Sequence, residues 1–220
     1  MIILLLACAG ADLPGRIAVD PPDSGLSATV WVQGNIDFVS GAQVCLEDYC
    51  TQTREDGFAD LFDLPEGLLS IRVDNPDGDN LLIPIDLYRN YMPNWSVRSF
   101  SPDVLPFWLG AQQAETGVIM VVPINVERDT ESLVGATLTS SVGSVVTVHD
   151  YERAVPENQA KEESIFFLSD IPPGEVELSV TPKGACVTNS MGWPGSDADS
   201  FVVPVEAGRV TVVNLKCVDF

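Results

Sequence analysis

Phe62-Asp63-Leu64-Pro65-Glu66-Gly67-Leu68-Leu69-Ser70-Ile71 and Ser169-Asp170-Ile171-Pro172-Pro173-Gly174-Glu175-Val176-Glu177-Leu178 are the stretches whose reading decides the fold. In each, a strand ends at Asp, an apolar residue follows to plug a core, Pro-x-Gly turns the chain, and an alternating strand leaves. Proline presets φ and glycine accepts positive φ, which is what a tight turn of this kind requires. A second pair of anchors lies upstream: Gly41-Ala42-Gln43-Val44-Cys45-Leu46 corresponds to Gly135-Ala136-Thr137-Leu138-Thr139-Ser140. The two halves of the chain therefore read as repeats of one unit.

Outward from these anchors, helical periodicity is nearly absent. Short β-branched runs recur instead, punctuated by Gly, Pro, Asn and Asp. Strands are expected over 27–32, 42–47, 51–55, 58–64, 68–73 and 81–87. A second series is expected over 118–126, 136–139, 145–151, 164–168, 175–180, 201–205 and 210–215. Many short strands between turn signals predict an all-β chain with a β-sandwich in each half. The domains read as 26–87 and 116–220, joined by an aromatic and Pro-rich interdomain segment over 88–115.

The first copy adds Thr53-Arg54-Glu55-Asp56-Gly57-Phe58 between the two anchors and Leu69-Ser70-Ile71-Arg72-Val73 after them. With Gly41-Ala42-Gln43-Val44 and Asp63-Leu64-Pro65-Glu66-Gly67, this pattern resembles the carboxypeptidase regulatory-like domain, a small prealbumin-like (transthyretin-like) sandwich. The second copy keeps the Gly-Ala and Asp-Ile-Pro-Pro-Gly anchors, but a longer polar segment, 152–163, stands where Asp-Gly-x-Phe would be. The resemblance implies two tandem Ig-like or prealbumin-like β-sandwiches serving as a scaffold or binding module. It implies no catalytic residue.

At the other end of the argument stands Leu5-Leu6-Ala7-Cys8. An apolar run, a small residue and a cysteine resemble the lipobox of bacterial lipoprotein signals, which implies that residues 1–7 are a signal peptide and that Cys8 is lipidated. Seven residues are too few to span a bilayer as a helix. Residues 9–25 are rich in turn formers and read, with Cys8, as a flexible tether spanning about 20–25 Å. Ala9 after the cysteine resembles the sorting pattern for the outer membrane, so the expected location is the cell envelope, lipid-anchored.

Five cysteines minus Cys8 leave four. Cys45 and Cys50 flank a short acidic turn, so a bridge would clip a hairpin. Cys186 and Cys217 lie near the ends of two strand-like runs, and pairing them would close a loop of about 30 residues, worth roughly 3–4 kcal/mol. Disulfides persist in oxidising compartments, so the bridges and the lipobox agree. Four reduced, buried thiols are the other reading. Zinc lacks a ligand set, because the only histidine is His149.

The net charge of −21, from 11 Lys and Arg against 32 Asp and Glu, repels nucleic acid and anionic lipid heads. Apolar residues at 45% are enough for packed cores. The search for chemistry yields little. His149 and Asp150 are strand neighbours that face opposite ways, so they form no dyad directly, and no Gly-x-Ser-x-Gly elbow is present. The Asp74–Asn80 loop has the texture of a calcium loop. Placing Gly78 at the sixth position leaves Val73 where a carboxylate is required, so a plain turn is expected and no metal is assigned. No cofactor is expected.

The 88–108 stretch holds Tyr88, Tyr91, Trp95, Phe100, Phe107 and Trp108 among prolines. It reads either as a wedge of packed rings or as an exposed aromatic platform, with Tyr88, Tyr91, Trp95 and Trp108 as candidate ligand-binding residues. The expected function is a non-catalytic cell-envelope lipoprotein, a structural or interaction module whose partner is the membrane, through Cys8, and a surface protein or polysaccharide. The alternatives are a carbohydrate-binding accessory protein using the platform and, further off, a hydrolase with an unrecognised carboxylate site.

Overall fold

The structure, a computed structural model, describes residues 26–34, 37–46, 48–87, 94–125, 135–149, 154–159, 164–181, 186–188 and 200–217. Its first elements are β1 (Leu26–Gln33), β2 (Gln43–Leu46), β3 (Tyr49–Gln52), β4 (Phe58–Leu64), β5 (Gly67–Asp74), β6 (Leu81–Leu87) and β7 (Asn94–Arg98). A six-residue helix, α1 (Val104–Leu109), follows. Then come β8 (Gly117–Asn125), β9 (Thr137–Ser140), β10 (Val146–His149), β11 (Ser164–Ile171), β12 (Gly174–Thr181), β13 (Cys186–Thr188), β14 (Ser200–Val205) and β15 (Val210–Cys217). The chain is all-β apart from α1 among the described residues. It divides into two units, residues 1–81 with 86–102, and residues 82–85 with 103–220.

In the first unit β1 is the centre of a three-stranded sheet, antiparallel to β4 and parallel to β7. The run β5-β2-β3 belongs to a different sheet. Alternation drives the layering: Val30, Val32, Val44, Leu46, Ile71 and Val73 are buried while Gln43 and Arg72 are exposed. β2 thus presents one apolar face at a period of two, whereas the central β1 buries Trp31 as well as Val30 and Val32 and is covered on both faces.

The second unit repeats the plan. β8 lies antiparallel to β11 and parallel to β15, while β12 lies between β9 and β14 in a separate sheet. Leu82 of β6 joins the core of this unit with Ile119, Leu138, Phe166, Leu178 and Val203.

The two deciding stretches form the same bulge. Leu26 pairs with Leu64 and Ala28 with Leu61, so three steps along β4 match two along β1. Likewise Leu168 pairs with Ile119 and Ile171 with Gly117. The extra residue sits beside Asp63 (φ 55) and Asp170 (φ 54), the two positive-φ residues other than glycine among those described. Aspartate is one of the few side chains that enter the left-handed region readily. Leu64 and Ile171 then plug the cores at 5% and 2% exposure. The upstream anchors match too: Gly41 (φ 80) and Gly135 (φ 96) precede the buried Ala42 and Ala136.

The segment over 88–115, expected to stand outside both repeats, is divided where it is described: β7 completes the β1 sheet, and α1 belongs to the second unit. A strand of five residues behind Pro93 gives little periodicity, and its parallel partner β1 lies far earlier in the chain.

Candidate functional site

Three constellations compete for a functional role, and the aromatic segment is the first. Tyr88 and Tyr91 lie outside the described residues, and Trp95 is described only as a backbone member of β7. Phe100 is buried, and Trp108 is 6% exposed with its ring 5.7 Å from that of Phe167. Trp108 is therefore a core ring and not a platform for a ligand. The reason is helical spacing: Leu105 and Trp108, three residues apart, share the inward face of α1, while Phe107 turns outward at 54% exposure. Asp103 at the helix start and Gly110 (φ 85), whose N–H donates to the Pro106 carbonyl, bound the helix. The Leu-x-x-Trp spacing between those bounds was the available signal.

The second constellation surrounds His149. On β10 it pairs directly with Ser164 of β11, and its Nδ1 lies 2.8 Å from Ser164 Oγ. Its Nε2 lies 3.5 Å from Glu157 Oε2, within ion-pair range but without a hydrogen bond. A serine, a histidine and a carboxylate thus meet, as a hydrolase would need. Two features argue against that chemistry. Ser164 has zero exposure, so no carbonyl reaches it. Its hydroxyl also joins two strands at their paired ends, where it ties β10 to β11. Sequence reasoning missed this cluster because its three members are brought together only by the β10–β11 register and by the path of residues 154–159. Asp150, the sequence neighbour of His149, lies outside the described residues.

The third is the turn between β5 and β6. Buried Asn75 donates from Nδ2 to Ser99 Oγ at 2.8 Å, and Ser99 Oγ donates to the Asp79 carbonyl at 2.8 Å. The Asp79 N–H donates to the Phe100 carbonyl at 3.0 Å. Gly78 is packed so closely that an added Cβ would lie 2.6 Å from that same carbonyl oxygen. Asp79 Oδ2 is buried without a hydrogen-bond partner, and desolvation pushes the carboxyl up to about 7. The turn expected from the sequence is what forms. Among the described residues no group of three potential metal ligands converges, there or elsewhere.

The cysteines divide by location. Cys45 and Cys50 are bonded, directly opposite one another on β2 and β3. Cys186 and Cys217 are register partners on β13 and β15. Opposite positions of an antiparallel pair bring Cα atoms to roughly 4.5–5.5 Å, a separation a disulfide can bridge. Cys8 lies outside the described residues. No described helix is long and apolar enough to cross a membrane.

No family model matches the chain, and no curated protein sequence does. Among solved structures it is similar to the Bacillus anthracis TIE protein, at 16% identity and a TM-score of 0.30, over 88% of this chain and 34% of that one. It spans about a third of that protein. A cohesin–X-dockerin complex from Acetivibrio cellulolyticus aligns with 47% of this chain and 69% of its own, at 13% identity and a TM-score of 0.33. A streptococcal ancillary pilin aligns over 88% and 69%, at 10% identity and a TM-score of 0.28.

Proposed function

We propose that this chain is a non-catalytic structural or interaction module of the bacterial cell envelope, anchored through acylated Cys8 and displaying two prealbumin-like sandwiches. The observation that carries the reading is the His149–Ser164 pair. The Ser–His–carboxylate meeting found in the described residues has its hydroxyl fully buried and holds two strands together. The Cys45–Cys50 bond supports the address, because a disulfide in a short hairpin persists in an oxidising compartment. The paired Asp bulges support the carboxypeptidase regulatory-like assignment of both halves.

Intact mass spectrometry of the protein recovered from its native membranes, with and without reduction, tests this reading. A chain beginning at Cys8 with added acyl mass, gaining about four hydrogens on reduction, is the expected result, since each bridge takes up two. An unprocessed chain with thiols in place of bridges would overturn anchor and address together.

A further inference from the structure

β10 ends at His149 and β11 begins at Ser164, and these two residues are direct register partners. A hairpin whose strands meet in this way is commonly closed by a turn of about two residues. The first unit does so: residues 47–48 join the partners Leu46 and Tyr49. In the second unit the whole of 150–163 stands in that place. Its described part, 154–159, lies along strand edges.

Val155 forms a bridge with Thr147 of β10, N–H to carbonyl both ways at 2.9 Å. Thr147 Oγ1 donates to the Glu157 carbonyl at 2.6 Å. Farther on, the Leu138 N–H of β9 donates to the Asn158 carbonyl at 2.9 Å, and Gln159 bridges Thr137. Gln159 Nε2 also donates to the Gly135 carbonyl at 3.2 Å. β9 and β10 are each the last strand of their sheet among the described residues. One segment therefore occupies outward backbone groups on the edges of two different sheets, the groups that an incoming strand would use.

The strands under the segment lack any other protection. Thr137-Leu138-Thr139-Ser140 and Val146-Thr147-Val148-His149 contain no Asp, Glu, Lys, Arg or Pro. Uncharged edges rich in β-branched residues and free of proline are templates for strand addition. In a chain of net charge −21, a second copy would meet no Asp or Glu on these strands, and the more distant charges are screened by salt. The covering segment supplies what the edges lack: Pro156 and Glu157, both exposed.

We propose that residues 154–159 are an edge guard, whose role is to keep β9 and β10 from pairing with the same strands of a second copy of this chain. The pairing it blocks is an edge-to-edge ladder across a two-fold axis. This inference is independent of the lipid anchor and of the assignment of the halves to a family.

Replacing 150–163 by Asn-Gly in the full chain tests it, since the paired ends His149 and Ser164 then close as a hairpin. The shortened chain is expected to keep its β12 amides protected from hydrogen exchange, yet to sediment as a dimer and larger species at concentrations where the parent chain does not. In those species the amides of Leu138 and Thr147, freed by the deletion, should be protected again. Adding Thr139→Lys and Val146→Lys together places a charge on each edge and should restore the parent's sedimentation. A folded shortened chain that sediments like the parent would overturn the guard. So would association that leaves Leu138 and Thr147 exchanging freely or that survives both lysines. If the shortened chain loses its β12 protection, Val155→Pro in the full-length chain decides, because it removes the N–H that binds the Thr147 carbonyl. Concentration-dependent association of that variant supports the guard, and unchanged sedimentation overturns it.

Discussion

In the first unit the third strand, β3, folds straight back on β2, leaving residues 47–48 to connect Leu46 to its partner Tyr49. In the second, the corresponding β10 leaves β9 and pairs with β11. Everything around this difference is held in common: the positive-φ glycine before a buried alanine, the Asp bulge, and the central strand that is antiparallel to one neighbour and parallel to the other. One core plan therefore tolerates two placements of its third strand. The fastenings differ accordingly. β3 is bonded covalently to its neighbour through Cys45–Cys50, whereas β10 is held by the His149–Ser164 pair and by the backbone bridge between Thr147 and Val155. A local hairpin keeps its strand by a turn and a clip. A strand that changes sheets needs contacts from farther along the chain.

The largest way to break the parallel is at the plugs. Leu64→Ala and Ile171→Ala each delete most of a buried side chain, and each should cost about 2–4 kcal/mol. Chemical denaturation followed by hydrogen exchange should show the loss confined to the unit that carries the substitution. If both units melt together in either variant, the repeats are not independent.

Next comes the clip. Replacing Cys45 and Cys50 together by Ser removes a six-residue closed loop, worth about 2 kcal/mol on the chain-entropy scale. The loss should fall on the first unit, with the β10–β11 amides unaffected.

The Asp79 carboxyl sharpens the contrast in pH. Burial lifts it from 3.8 to about 7, so the folded protein binds a proton that the unfolded chain has already lost. Stability of the first unit should therefore decline as pH rises from about 4 to 7, by about 4 kcal/mol for the full shift and on the order of 2 kcal/mol once the group's partial exposure to solvent is allowed for, and level off above that. Asp79→Asn should flatten the curve, measured by urea midpoints across the range.

The smallest effect separates the two bulges. Glycine relieves the left-handed strain at either Asp, a gain of roughly 0.5–1 kcal/mol. Asp170 also accepts from the Gln113 N–H at 3.0 Å and lies 3.4 Å from Thr116 Oγ1. Asp170→Gly should consequently gain less than Asp63→Gly, or lose, as read by thermal midpoints.

The strands and the repeat were legible because their signals are local: alternation, turn residues, and glycine where φ is positive. Phe58–Leu64 and Leu81–Leu87 were bounded from sequence as the structure has them. Asn94–Arg98 and Cys186–Thr188 were not read as strands, being short and dependent on partners distant in sequence for their pairing. Trp108 was left between packed ring and exposed platform because its burial follows from a single helical turn inside a chain that otherwise runs at a period of two. The His149 cluster was invisible for a different reason. Its members meet only if β10 joins β11, and nothing in residues 136–151 alone selects that sheet over the hairpin taken by the first unit.

Cross-strand nuclear Overhauser contacts in the full-length chain test the third-strand difference most directly. Contacts are expected between Val44 and Thr51 in the first unit and between Thr147 and Phe166 in the second. Contacts placing β10 beside β9, with none to β11, would contradict it.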